Sequence, residues 1–281
     1  MMNTELRNSY ETICSNTDRW FSGYSRSFLS GDYQYDHGYE LKILHTKNVE
    51  RHAEELALYL DTQNGRDGRR QYGARLAALL HDAGRFEQFK RYRTFNDSIS
   101  EDHGKISLDL IEEQELLKEI DAIDEHLGRA IRFAVFEHNK LNIPPIEDGL
   151  SLSLAKIVRD ADRIDIFRIM AEHLEKQDDA GEEAVFLHLS DTKTISGPVY
   201  QSILKGEMVH RNNLTSRSDF LCQILSWVQI MNYPYSCKKI NDSGNFTAVL
   251  ARLPENKEGR EVQALLRREM DDKLQQLSFE K

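Results

Sequence analysis

The sequence predicts an all-α protein, and three observations support this fold class. Apolar residues recur at helical spacing in the long segments, for example at Leu41, Leu44, Val49, Leu56 and Leu60. No segment shows a strand-type alternation of apolar and polar residues of convincing length. The composition, with 40% hydrophobic residues, 30% charged residues and 5 prolines, is that of a globular chain and not of a disordered one.

Helices are expected along most of the chain, with two notable loops between them. Segment 31–38 is interpreted as a loop because it is rich in Gly and Asp. Residues 86–103 show no sustained period and are interpreted as a second loop, of a length typical of functional loops. The predicted helical segments are 3–30, 39–61, 70–82, 105–113, 123–138, 150–177, 220–230, 245–253 and 261–277.

The length of 281 residues suits one large domain, or one domain with an appendage. We predict an N-terminal helical segment at 1–38 that packs on a helical core at 39–177. The end of the helix near residue 177 is the predicted boundary, and 178–281 is expected to form a C-terminal helical extension. This extension suits either a pocket wall or a dimer surface, so a homodimer stays an open alternative.

Charge and cysteine content bound the function. The net charge of −10 argues against a general binder of nucleic-acid polymers, which would show a basic surface, although a local basic cluster can still hold a small anion.

Three scattered cysteines form neither a disulfide framework nor a CxxC metal knuckle and are typical of reduced, cytosolic thiols. The N-terminus lacks a signal-peptide pattern, and no stretch approaches the roughly 20 apolar residues of a membrane span. We therefore expect a cytoplasmic protein without membrane association.

The most informative motif is the pair His81-Asp82, which follows an apolar segment. Burying an imidazole beside a carboxylate is costly unless a charge compensates them. A divalent metal does so, because both groups are ordinary ligands for Zn, Mn, Fe, Ni or Mg. Alternatively, both side chains face water at a helix C-terminus that Gly84 caps. The motif alone leaves both interpretations open.

Three further histidines lie on separate predicted helices. His45 lies beside the apolar face of the 39–61 helix. His103 opens the 105–113 helix, and His138 falls on the apolar face of the 123–138 helix. Taken alone, a histidine such as His138 is more often part of a core than a metal ligand.

One carboxylate of the 150–177 helix joins these candidates. Asp160 borders the apolar stripe of that helix. Asp162 and Asp165 are offset from the stripe and are interpreted as solvated acids or as outer partners of a site.

The order His, His-Asp, Asp resembles the HD superfamily of metal-dependent phosphohydrolases. The local contexts that carry the resemblance are LHTKNVERHAEELA, LLHDAGRF and VRDADRID. The resemblance covers roughly residues 40–175 and implies an HD-domain helical core that holds a metal ion. The ligands that it implies for this ion are His45, His81, Asp82 and Asp160.

Subgroups of this superfamily with a dinuclear centre add two histidines between the His-Asp pair and the final Asp. By that resemblance, His103 and His138 hold a second ion, and Asp82 bridges the two because a shared carboxylate screens the repulsion between cations. Alternatively, the centre is mononuclear and both histidines bind substrate. The implied cofactors are divalent ions, two in the dinuclear case, from among Mn, Fe, Ni, Mg and Zn.

Arg85 stands three residues after Asp82, where the dinuclear branches tend to carry a cation and the mononuclear nucleotidase branch a glutamate. The resemblance implies that Arg85 binds a phosphate or another substrate oxygen, and a helix C-terminal arginine favoured by the macrodipole is the alternative. We predict Asp82 and Arg85 as catalytic residues. The predicted substrate-binding residues are Arg85, Lys90, Arg91, Arg93 and Lys140, although the cations of 86–103 also suit a solvated surface.

The implied reaction is hydrolysis of a phosphomonoester or phosphodiester of a small molecule or nucleotide by a metal-activated hydroxide. The expected partner is therefore a small, anionic, phosphorylated substrate. The same ligands also resemble the di-iron oxygenases of the superfamily, such as myo-inositol oxygenase, which would imply oxidation of a polyol or phosphonate. A non-enzymatic helical protein with a structural metal is the third alternative.

Two subgroups of the superfamily are excluded. Cyclic-dinucleotide phosphodiesterases of the HD-GYP type carry a Gly-Tyr-Pro signature, which the segment 138–145 lacks. The enzymes that make and hydrolyse the stringent-response alarmone carry additional domains, for which the sequence gives no sign.

Overall fold

α-Helices dominate the structure, a computed structural model that describes residues 3–64, 68–176, 186 and 189–279. Within these residues there is no strand, and a single parallel β-bridge pairs Ser190 with Ser216. The predicted all-α fold class is therefore confirmed. None of the helices in the described ranges is both long and apolar enough to span a membrane.

The helices of the described residues are α1 to α12 in chain order. In the N-terminal part they are α1 (Thr4–Arg26), α2 (Tyr33–Asn64), α3 (Gly68–Leu80), α4 (Gly84–Tyr92), α5 (His103–Glu113), α6 (Lys118–Glu137) and α7 (Gly149–Lys176). In the C-terminal part they are α8 (Gly197–Leu204), α9 (Arg217–Ile230), α10 (Pro234–Asp242), α11 (Asn245–Leu250) and α12 (Lys257–Phe279). Short 3-10 helices occur at Asp97–Ile99 and Arg211–Asn213.

The chain divides into two compact units, Met1–Asp162 and Arg163–Lys281. The division falls inside α7, after the last acid of the VRDAD segment. The boundary predicted at residue 177 lies outside the described residues, so the division into 1–38, 39–177 and 178–281 stays a prediction.

Helix α3 lies at the centre of the first unit, where it packs against α1, α2 and α6. Eight of its 13 residues are buried, as expected for a helix with neighbours on several sides. Glycine permits this close packing, since a Cβ on Gly73 would lie 2.7 Å from a methyl carbon of Leu127 and 2.8 Å from one of Leu154. The last residues of α3 therefore lie in the interior, and the His-Asp pair follows there.

The second unit is built around its own apolar core. Helix α12 packs against α8, α9 and α10. The core includes Leu225, Val228, Val262, Leu266 and Met270.

Two predicted loops are partly helical. Helix α2 begins at Tyr33, so the loop prediction was wrong for 33–38. It was also wrong for 86–92, which belong to α4. Phe86 of α4 packs against Phe21 and Tyr39, and this tertiary contact stabilises a helix of nine residues that is too short to show a clear period in the sequence.

Candidate metal centre

The turn that carries His81 and Asp82 is held in place by α5. Ser107 Oγ donates to the carbonyl of His81 at 2.7 Å and accepts from the N–H of Gly84 at 2.8 Å. A Cβ on Gly84 would lie 2.6 Å from the His103 carbonyl oxygen, so the close approach of α5 requires glycine here. His81 is 0% exposed and Asp82 is 2% exposed. This burial contradicts the alternative in which both side chains face water at a helix end that Gly84 caps.

A first group of donor atoms comes from α2, the turn after α3, and α7. His45 Nε2 lies 3.5 Å from Asp82 Oδ2, and His81 Nε2 lies 3.6 Å from the same oxygen. Asp162 Oδ1 lies 3.0 Å from His45 Nε2 and 4.0 Å from His81 Nε2. We refer to His45, His81, Asp82 Oδ2 and Asp162 as the first group.

A second group of donor atoms surrounds the other oxygen of Asp82. His103 Nε2 lies 3.3 Å and His138 Nε2 lies 3.8 Å from Asp82 Oδ1. The two Nε2 atoms of His103 and His138 are 2.9 Å apart. We refer to Asp82 Oδ1, His103 and His138 as the second group. Asp82 thus belongs to both groups, with one oxygen facing each.

Hydrogen bonds fix the tautomers of three of these histidines. Nδ1 of His81 lies 2.6 Å from the carbonyl oxygen of Ala78, and Nδ1 of His138 lies 2.6 Å from that of Val135. A carbonyl oxygen only accepts, so each Nδ1 carries the hydrogen and each Nε2 presents a lone pair. His103 donates from Nδ1 to a carboxylate and is fixed in the same way. These are the tautomers that metal-ligating histidines adopt.

The protonation of the cluster fits a bound cation. Burial, the largest influence, lowers the pKa of His81 to about 4 and that of His103 to about 3, so both rings are neutral near pH 7. His103 Nε2 therefore presents a lone pair toward His138 Nε2, and His81 Nε2 is buried without a hydrogen bond. Such an arrangement is unfavourable unless a positive ion lies between the donors.

The separations of the donor atoms also suit metal ligation. Ligands at about 2.0–2.2 Å from a common ion lie about 3–4 Å from one another. The donor-atom distances given above lie between 2.9 and 4.0 Å. The two groups His45–His81–Asp82 and Asp82–His103–His138 each bring their donor atoms close enough to hold one ion.

Asp82 keeps its charge despite its burial. Burial acts to raise the pKa of this carboxyl, but the Lys42 ammonium and the His81 ring outweigh that effect and hold the pKa well below its ordinary value. Lys42 Nζ donates to Asp82 Oδ2 at 2.8 Å, and Arg85 Nε lies 3.4 Å from Oδ1. A charged, unprotonated carboxylate is the form that can bridge two cations.

Asp162, and not the predicted Asp160, is the α7 carboxylate whose short distances to His45 and His81 the structure records. Burial acts to raise the pKa of Asp162, but its interactions with His45 hold it well below the ordinary value. Asp160 is 0% exposed, whereas the Asp162 side chain is 21% exposed. The assignment of Asp160 as a ligand stays a prediction, and Asp162 is a second candidate from the same helix.

Helical spacing could not have identified Asp162. Asp160 borders the apolar stripe and Asp162 is offset from it, so helical spacing favours Asp160 and gives no sign of the short distances from Asp162 to His45 and His81. Asp162 resembles a solvated acid in the sequence, and its side chain is indeed partly exposed, at 21%.

Comparison with known proteins decides the family. The HD domain family matches residues 43–192, which is more than half of the chain and contains every residue of both groups. The chain belongs to the HD domain family. No curated protein and no solved structure gives a significant match. Membership of the HD family supports the class of metal-dependent hydrolases, while the reaction and the substrate are matters for proposal.

The HD-motif arginine, Arg85, makes several fixed contacts. Its Nη1 donates to Gln88 Oε1 at 2.7 Å, to the Phe95 carbonyl at 2.6 Å and to Asp97 Oδ1 at 2.8 Å. The prediction that Arg85 is catalytic and binds substrate stays untested. Its contacts indicate a guanidinium that supports the segment after α4.

Asp97 is a partner of the centre that sequence reasoning missed. Its Oδ2 accepts from His103 Nδ1 at 2.7 Å, and its Oδ1 accepts from Arg85 and Gln88. Burial acts to raise the pKa of Asp97, but the hydrogen bond from His103 and the charge of Arg85 hold it well below the ordinary value. No periodicity identifies this residue, because it lies on the short 3-10 helix between α4 and α5.

The other predicted substrate-binding cations contact nearby acids and aromatic rings. Lys90 lies 3.5 Å from Glu87, and Arg93 stacks 3.7 Å above the Tyr35 ring. Arg91 pairs with Glu87 and Glu101, and Lys140 pairs with Asp102 and lies over the Phe136 ring. Their predicted role in substrate binding stays a prediction.

Proposed function

We propose that the protein is a metal-dependent phosphohydrolase that cleaves a phosphomonoester or phosphodiester of a small anionic molecule. The observation that carries this proposal is the convergence of Nε2 atoms from four histidines on the two oxygens of a single buried carboxylate, Asp82. The HD family membership supports the same class of reaction.

The residues divide into two sets of ligands. His45, His81, Asp82 and Asp162 would hold one ion, with Asp160 as the alternative acid. Asp82, His103 and His138 would hold the other. When bound, two such cations lower the pKa of a water molecule to near neutrality and offset charge on a phosphoryl group.

The charges of the centre favour an anionic substrate. The histidines are neutral donors, so among the residues of the two groups negative charge comes from Asp82 and Asp162 alone. Two divalent cations exceed this negative charge by two units, and a net positive centre in a poorly hydrated site attracts anions strongly. A phosphoester suits such a centre better than a neutral polyol does.

The chain's own contribution is preorganisation. The carbonyls of Ala78 and Val135 and the Asp97 carboxylate each accept from the Nδ1 of a histidine, and so direct the Nε2 atoms of His81, His138 and His103 toward the centre. Ser107 and Gly84 fix the turn at Asp82. Donors that are already oriented need no reorganisation when a substrate reacts, which is the usual source of electrostatic catalysis.

The proposal is tested by metal analysis combined with hydrolysis of p-nitrophenyl phosphate and bis(p-nitrophenyl) phosphate. We expect up to two ions per chain and turnover with Mn²⁺, Ni²⁺ or Mg²⁺ that chelator abolishes. A matched pair of variants is Asp82→Asn and Asp109→Asn, since Asp109 is an exposed acid of α5 that pairs with Lys105. Turnover should be lost in the first variant and kept in the second. A protein that binds metal but cleaves neither ester nor a panel of natural phosphoesters would contradict the proposal.

A di-iron oxygenase is the second candidate, because a donor set rich in imidazole accepts iron as readily as the other ions. Purification with and without air separates the two functions. Stoichiometric iron together with O₂ uptake in the presence of a polyol or phosphonate would favour the oxygenase.

A purely structural metal is the third candidate, and circular dichroism separates it from a catalytic one. If the site is catalytic, chelator should abolish turnover with little change in helicity. If the site is structural, removal of the metal should cause a large loss of helicity.

A further inference from the structure

Lys42 reaches the centre from α2 and was not singled out by sequence reasoning. It precedes His45 by three residues, so both side chains lie on the same face of the helix. Its Nζ lies 2.8 Å from Asp82 Oδ2, the oxygen that also faces His45 and His81. Its recorded polar contact is therefore to a ligand of the first group.

Lys42 is held by fewer polar contacts than Arg85, the cation on the other side of Asp82. Both lie over the Phe95 ring, with Lys42 Nζ at 5.4 Å and the Arg85 guanidinium carbon at 5.9 Å from its centroid. Arg85 is fixed by three acceptors on one nitrogen. Lys42 has a single recorded ion pair on a flexible four-carbon stem, and its ammonium can turn to a new partner.

Exposure places Lys42 at the open side of the centre. The side chains of His45, His81, Asp82, His103 and His138 are all less than 5% exposed. Lys42 is 16% exposed and Asp162 is 21% exposed. A ligand that enters from solvent at this side meets Lys42 and Asp162, and the carboxylate of Asp162 alone would repel an anion.

The positive charge of Lys42 can contribute to binding of an anion at the centre. An ammonium that shares Asp82 Oδ2 with a cation of the first group repels that cation over a few ångströms. An anion bound at the centre would lie close to both positive groups and offset this repulsion. We propose that Lys42 is the substrate-binding cation of the centre and pairs with an oxyanion of the substrate's phosphoryl group, a role that rests on the proposed phosphohydrolase function.

The test measures the affinity of inorganic phosphate for the Mn²⁺-loaded, full-length protein by calorimetry. Lys42→Met removes the charge at nearly constant length, and Lys42→Arg keeps it. Lys105→Met is the matched control, because it removes an exposed lysine charge on α5 that pairs with Asp109. We expect Lys42→Met to bind phosphate at least about 10-fold more weakly than wild type. Lys42→Arg should bind phosphate within about threefold of the wild-type affinity, and Lys105→Met should bind it with the wild-type affinity.

Mn²⁺ affinity provides the second readout. A substrate-binding lysine predicts that Lys42→Met binds Mn²⁺ as tightly as wild type or more tightly, because a repelling charge is removed. A merely structural lysine predicts weaker Mn²⁺ binding together with a lower melting temperature. If Lys42→Met fails to fold by circular dichroism, Lys42→Gln, which keeps a polar end group, takes its place.

The outcomes separate this inference from the proposed function. Phosphate that binds Lys42→Met as tightly as wild type overturns the role of Lys42 alone. Wild-type protein that binds Mn²⁺ but no phosphate overturns the phosphoryl substrate and the role of Lys42 together. Weaker phosphate binding with intact Mn²⁺ binding supports both.

Discussion

The two groups of donors at Asp82 are supported in different ways. In the first group, His81 is oriented by a backbone carbonyl of the preceding helix, α3. In the second group, His103 is oriented by a side chain, Asp97, which stands on the short 3-10 helix between α4 and α5. Asp97 is itself held by Arg85 and Gln88. His138 of the second group is oriented by a backbone carbonyl as His81 is, that of Val135. The two groups therefore differ in His103, whose orientation depends on a chain of side-chain hydrogen bonds.

We therefore expect that an ion held by the second group would be easier to remove by substitution than one held by the first. A backbone carbonyl cannot be removed by substitution, whereas a carboxylate that fixes a ligand's tautomer can. Outer partners of metal ligands typically contribute 10–100-fold to metal affinity. Substitutions can therefore lower the metal affinity of the first group, of the second group, or of both.

The largest effect is expected at the shared residue. Asp82→Asn removes the negative charge that both groups use, and we expect metal affinity in both groups and turnover to fall by more than about 100-fold, the upper range for outer partners. Calorimetric titration with Mn²⁺ and the esterase assay measure this loss. A variant that still binds two ions with wild-type affinity would show that Asp82 is no bridge.

Next in size is the effect of Asp97→Asn, which should act on the second group alone. An amide nitrogen that donates to His103 Nδ1 would move the ring hydrogen to Nε2 and remove its lone pair. We expect the second ion to bind about 10–100-fold more weakly while the first binds as in wild type. Metal stoichiometry at low free Mn²⁺ should fall from two toward one.

The conservative variant Asp97→Glu and the exposed-acid variant Asp109→Asn serve as controls for this experiment. We expect Asp97→Glu to keep part of the affinity for the second ion and Asp109→Asn to keep all of it. Equal loss of both ions in Asp97→Asn would mean that the two groups are not supported separately.

A smaller difference should separate the two acids of α7. Asp162→Asn is expected to weaken binding of the first ion by about 10-fold or more, because its carboxylate lies 3.0 Å from His45 Nε2. Asp160→Asn should weaken it less. The reverse order of effects would restore the assignment made from the sequence and remove Asp162 from the first group.

The last expected effect is a dependence of the stability of the metal-free protein on pH. The pKa of His81 is lowered to about 4 and that of His103 to about 3, from an ordinary value of 6.5. Between pH 6.5 and these values the unfolded chain binds protons that the folded chain does not, so stability falls as pH falls, by up to about 1.4 kcal/mol per pH unit for each ring.

Thermal unfolding of the chelator-treated protein at pH 7.5, 6 and 5 measures this dependence. The melting temperature should fall with pH, and His103→Gln should reduce the slope. His126→Gln, which changes a partly exposed histidine paired with Asp148, should leave the slope unchanged. A melting temperature that stays constant or rises between pH 7.5 and 5 would show that these rings are not buried in neutral form.

Most of the fold could be predicted from the sequence, because long helices such as α2 and α7 repeat their apolar spacing over many turns. Helix α4 could not, since nine residues give too few turns and its stability comes from packing of Phe86. In the site, His45, His81-Asp82, His103 and His138 were found by residue type and order, and the structure brings them together. The choice between Asp160 and Asp162, and the parts played by Lys42 and Asp97, depend on tertiary contacts that spacing does not encode.

The most direct test of the bridging role of Asp82 is a crystal structure of the Mn²⁺-loaded protein with anomalous data collected at the manganese edge. We predict two anomalous peaks, one on each side of the Asp82 carboxylate, with the first near His45 and His81 and the second near His103 and His138. A single peak beside the first group would contradict the dinuclear centre. The absence of any peak at Asp82 in metal-loaded crystals would contradict the metal centre as a whole.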